Sequence, residues 1–106
     1  MNAHTHQRIV DLLSCSVRNL ELDIPSIYRH AGPGAHAEAA VIRSLQFSLG
    51  LMVEAISLAD ENTARAITAR AEKIQDAIAD HRKQLAEWIE VEGWIVVAEG
   101  ENETKH

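Results

Sequence analysis

The chain has 106 residues, 46% of them hydrophobic, with only two Trp, one Tyr and one Phe, and a formal charge of −6. That length holds a single domain with an aliphatic core, only marginally stable as a monomer. The acidic balance excludes affinity drawn from clustered Lys and Arg, so neither direct nucleic-acid binding nor attraction to an anionic membrane is expected.

The opening MNAHTHQRIVD has no long apolar run, so no secretory leader is expected and the location reads as cytoplasmic. Thr5 can cap a first, shorter helix in which Val10, Leu13, Val17 and Leu20 form an apolar stripe, flanked by Ile9 and Leu12. Cys15 lies within it, alone, and reads as a buried structural thiol. Pro25 disfavours helical geometry in the residue before it, which predicts a stop near Leu22 to Asp23. The segment SIYRHAGPGAH then reads as a loop punctuated by Gly32, Pro33 and Gly34.

A second helix is predicted from Ala35 to Leu58 or Ala59. Its core, SLQFSLGLMVEAISLA, is short of the roughly 20 apolar residues of a membrane span and is broken by Glu54, which predicts a buried helix. Two seams run along it at steps of three and four. One holds Ile42, Leu45, Leu49, Met52, Ile56 and Ala59; the other holds Val41, Ser44, Ser48, Leu51, Ala55 and Leu58. Two seams call for neighbours on two sides, and small residues in the second permit close helix approach. That seam is therefore the expected contact in a homodimer.

Asp60 or Asn62 can cap a third helix from about Thr63 to Val91, with a seam of Ile67, Ala71, Ile74, Ile78, His81, Leu85 and Trp88. Gly93 is read as its end, and WIVVA beyond as a short strand or packed tail. The expected architecture is thus all-α, a three-helix chain with one short and two long helices that dimerises into a bundle. Residues 1–99 form its domain, and 100–106 a disordered polar tail.

The candidate chemistry is thin. His4 and His6 lack a further ligand at zinc spacing. Glu72, Asp76 and Asp80 stand one turn apart but lack the histidine three residues on that bridging-metal bundles use. The glycines of AGPGAH could offer backbone N–H groups to an anion, but no phosphate-loop lysine follows. His81 lies on an apolar seam, where a histidine is satisfied by a neighbour or sits in an interface. No catalytic residue, cofactor or metal is expected. What remains is apolar: Leu22, Ile24, Ile27 and Tyr28 in the first connection, and Trp88, Trp94, Ile95 and Val97 at the far end. These are the candidate partner-binding residues, because aromatic and aliphatic anchors dominate interface centres.

From MNAHTHQRIVDLLSCSV through LQFSLGLMVEAISLA to ARAEKIQDAIADHRKQ, the chain resembles the small bacterial antiactivators of the QslA type. The resemblance is one of length and helical organisation and assigns no residues. It implies a non-enzymatic helical dimer that binds the quorum-sensing regulator LasR and blocks that regulator's own dimerisation. The alternatives from other classes are a small acidic secretion or assembly chaperone and a histidine phosphotransfer module using His81.

Overall fold

A computed structural model describes residues 2–104, with side chains described through Ile95. Every described residue outside 2, 32–34 and 59–60 is helical. The elements are α1 (Ala3–Arg18), a wide π turn (Asn19–Asp23), α2 (Ile24–Ala31), α3 (Ala35–Leu58) and α4 (Glu61–Thr104). The first three form one arm, so the expected all-α, three-helix organisation is observed.

The cap of α1 is Asn2, whose side chain accepts the Thr5 N–H at 2.7 Å; Thr5 itself lies inside the first turn. Pro25 does not end the first arm. A proline lacks the N–H of an ordinary turn and its ring collides with the carbonyl four residues back. Here the Ile24 N–H reaches Asn19 O, a five-residue step, and Pro25 then falls in the first turn of α2, where a missing N–H costs nothing. The residues expected as loop therefore add two helical turns before Gly32 and Gly34, both at positive φ, reverse the chain.

Helix α3 lies at the centre, with α1 and α2 along one flank and α4 along the other. α1 and α4 do not pack backbone to backbone, and the molecule measures 72 × 22 × 14 Å, close to one helix layer thick. Its radius of gyration of 19.0 Å exceeds the roughly 13 Å of a compact domain this size. Ile42, Leu45 and Met52 of α3 meet Ile67, Ile74 and Ile78 of α4, and Ile9 and Leu12 of α1 close the other flank. By length and composition α3 would also suffice to cross a membrane. In this chain Glu38 and Ser48 are buried on it, and both flanks are occupied by the chain's own helices.

The expected dimer seam is largely covered from within. Val41, Ser48 and Ala55 are fully buried in the single chain, Ser44 is hydrogen-bonded to Asn19, and Leu51 packs against the core; Leu58 alone is exposed. The small residues permit close approach as expected, but the helix that approaches is α1. Ser16 Oγ donates to the Ser48 carbonyl and Ser48 Oγ to the Ser16 carbonyl, both at 3.2 Å. Asn19 Nδ2 donates to Ser44 O at 2.8 Å and Ser48 Oγ at 2.7 Å, while its Oδ1 accepts from Ser44 Oγ at 2.8 Å.

Helix α4 also departs from expectation. Gly93 does not end it, and Trp94 to Val97 form neither a strand nor a packed tail but further turns of the same helix. One interior glycine costs about 1 kcal/mol, too little to break a long cooperative helix. The polar segment from Gly100 is helical through Thr104; residues 105–106 of that expected tail lie outside the described residues.

Replacing Asn19 by Ala removes three hydrogen bonds, one buried and two partly buried, and should cost about 2–3 kcal/mol. Urea unfolding of the variant beside the wild type measures this; a loss below about 0.5 kcal/mol would show that the polar contact does not hold α1 in place.

Candidate functional site

Three side chains from three helices meet where α2, α3 and α4 converge. Glu38 is buried in the first turn of α3, where the helix N-terminus favours a carboxylate. Its Oε2 lies 2.7 Å from His81 Nδ1, and its Oε1 accepts from the Tyr28 hydroxyl at 3.0 Å. The short Oε2 contact places a proton on His81 Nδ1. Burial and the neighbouring Glu38 carboxylate push the Tyr28 phenol up to about 12. His81 is thus the satisfied seam histidine that its position predicts. Tyr28 was a candidate partner residue, but its polar end is engaged inside the chain. Ile24 and Ile27 likewise pack against the core, half-buried.

At AGPGAH, where the sequence offers backbone N–H groups but no phosphate-loop lysine, the Ala35 N–H is taken by the chain itself. Glu92 Oε1 accepts the Ala35 N–H at 3.0 Å, tying α4 to the start of α3. Gly34, at φ +149°, allows this approach: a Cβ there would stand 3.0 Å from that same oxygen. At the other end of α4, Asp60 accepts the Thr63 N–H at 2.8 Å and caps the helix, and these bonds hold its carboxyl below the usual range. Glu72, Asp76 and Asp80 are exposed, and among the described residues no three His, Cys, Asp or Glu side chains group as metal ligands. Cys15 is exposed rather than buried, because it lies one step off the Leu12–Ser16 line that faces α3.

Besides Phe47 and Val53, which stand 58% and 56% exposed on α3, three apolar surfaces are left. The first is α1's stripe. The face turned inward is Ile9, Leu12, Ser16 and Asn19, so Val10 and Val17 are exposed and Leu13 is only half-covered. A shallow depression along this outer face runs from Val10 through Leu13 and Val17 to Leu22, which is 56% exposed. The second is a groove between α1 and α4, walled by Val17, Leu20 and Ile74 and floored by Leu45 and Met52 of α3. The two join at Val17. The third is the end of α4. Trp88 is half-buried, Ile89 is 58% exposed, Trp94 70% and Ile95 51%. The side chain of Val97 lies outside the described ones.

Of the candidate partner residues, Leu22, Trp94 and Ile95 are thus presented to solvent and Ile24, Ile27 and Tyr28 are not, while Leu22 and Trp94 occupy separate surfaces. The sequence marks α1 by its Val10, Leu13, Val17 and Leu20 stripe, and Ser16 and Asn19, small polar residues at the same helical spacing, are the signal that a different face turns inward. Comparison with family models, with characterised proteins and with solved structures finds no match for this chain.

The raised Tyr28 phenol has a consequence at alkaline pH. The unfolded chain ionises near pH 10 while the folded one keeps its proton up to about pH 12, so the stabilisation is intact below pH 10 and is lost between the two. Stability measured by urea unfolding should fall more steeply between pH 10 and 12 in the wild type than in Tyr28→Phe. Identical slopes would show that Tyr28 titrates as if free.

Proposed function

We propose that this chain is a non-enzymatic regulatory protein that binds and sequesters another protein. The observation that carries the reading is the inverted first helix: α1 buries Ser16 and Asn19 and leaves Val10, Val17 and part of Leu13 outside. Polar side chains inside and an apolar stripe outside cost stability unless another chain covers the stripe. Each aliphatic side chain so covered would contribute up to about 1.5–3 kcal/mol. The partner implied by the resemblance is a LasR-type transcriptional regulator whose dimerisation is blocked, in the cytoplasm; a secretion or assembly chaperone would use the same surface on an unfolded client.

The same reading keeps a homodimer but moves its contact. Val41, Ser48 and Ala55 are enclosed by the chain itself, so self-association is proposed at the end of α4, where Ile89, Trp94 and Ile95 stand exposed around the last tie to the body at Glu92.

Two outcomes test these proposals. Val10→Asp changes an exposed position of the stripe outside the groove, so its melting temperature should match the wild type while capture of a native partner by affinity purification drops at least tenfold; undiminished capture would remove the stripe from the interface. One folded regulator among the captured proteins favours sequestration, and a mixture of unfolded clients favours the chaperone. Sedimentation equilibrium at micromolar concentration should give a mass of twice 11.7 kDa, reduced to 11.7 kDa in the double variant Trp94→Ala, Ile95→Ala. A wild type sedimenting only at 11.7 kDa would end the homodimer proposal.

A further inference from the structure

We infer that the groove between α1 and α4 receives an acidic amphipathic helix of the sequestered protein. This deepens the proposed function and rests on it. The floor and walls, Leu20, Leu45, Met52 and Ile74, offer a continuous apolar strip. On the α4 side Ala66, Ala69 and Ala77 stand where larger side chains would fill the groove, so an incoming helix can approach its backbone closely. A helix laid in an apolar groove through one face is an established mode of peptide recognition.

The charge at the groove is opposite to that of the molecule. The chain as a whole carries −6, yet the only charged residues lining the groove are Arg70 and Lys73. Neither makes an ion pair among the described residues. Their neighbours four positions away on α4 are Ala66 and Ile74 for Arg70, and Ala69 and Ala77 for Lys73; the one carboxylate three positions away, Asp76 from Lys73, makes no ion pair with it and does not line the groove. Two cations beside an apolar strip, with no lining carboxylate, are complementary to a helix whose apolar face is flanked by Glu or Asp. They are repulsive to one flanked by Lys or Arg.

A display library of helical peptides tests this on the intact protein. The peptides carry a constant Leu stripe at steps of three and four, with flanking positions randomised among Glu, Lys, Gln and Ser. Selection against the wild type should enrich Glu at the flanks. The selected peptides should shift the amide signals of Leu45, Met52 and Ile74 and lose about tenfold or more in affinity for Arg70→Glu, Lys73→Glu protein. Both positions are exposed, so that variant should melt like the wild type. Four outcomes overturn the inference: no binder, binders without Glu preference, binders whose signals map to the end of α4, or a wild-type self-association abolished by Arg70→Glu, Lys73→Glu. The last would mean that a second copy fills the groove. Failure here with Val10-dependent capture of a native partner intact would leave the sequestering function standing on the α1 stripe. Acidic peptides binding as expected with no partner captured would instead count against sequestration and leave the groove chemistry in place.

Discussion

Ser16, Asn19, Ser44 and Ser48 form a buried polar contact between α1 and α3 that decides how the first arm is rotated. Buried hydroxyl and amide groups must be paired, and reciprocal bonds to backbone carbonyls require the two helices to stand very close. Only small side chains allow that. Once α1 is held by this seam, its larger aliphatic residues cannot also face α3, and Val10, Leu13 and Val17 turn outward. The exposed stripe therefore follows from how the interior polar groups are satisfied, and that rotation is common to the stripe and to the groove beside it.

The other flank is governed differently. α4 meets α3 through aliphatic side chains, a non-directional contact, and its register is set by polar ties. Glu38 binds His81 part-way along, and Glu92 binds the Ala35 N–H where α3 begins. These tie points, with the Asp60 cap, explain why α4 stays in contact over most of its length and why its exposed aromatic, Trp94, comes just after the last of them. At the opposite end of α3, Arg8 reaches Glu54 at 2.8 Å; both are well exposed and add little beyond orientation.

The result is an open layer of helices. A closed three-helix bundle would have turned the α1 stripe, the groove floor and the α4 seam toward one axis. Here, among the described residues, α1 and α4 do not pack backbone to backbone, which leaves Val17 and Leu20 on one side of a groove and Ile74 on the other, with Arg70 and Lys73 also lining it. A layer of this kind offers a binding surface already formed by rigid helices, which lowers the ordering cost of association.

Much of this was legible in the residues. Spacing within one helix predicts a helix from Ala35 to Leu58 or Ala59, a cap at Asp60 or Asn62, and a satisfied or interface histidine at His81; the structure selects Leu58 as the end, Asp60 as the cap and Glu38 as the partner. The failures are of two kinds, local effects weighed wrongly and contacts between residues far apart in the chain. Pro25 does not stop the first arm because a π turn absorbs it, and Gly93 does not stop α4 because a local glycine penalty is small beside a long cooperative helix. The small seam of α3 was read as a meeting place for a second copy, since its spacing announces a close neighbour without saying which. Ser16 and Asn19, in another helix, identify that neighbour as α1, and hydrogen bonds reaching 25 to 32 residues along the chain became visible only once the helices were placed together.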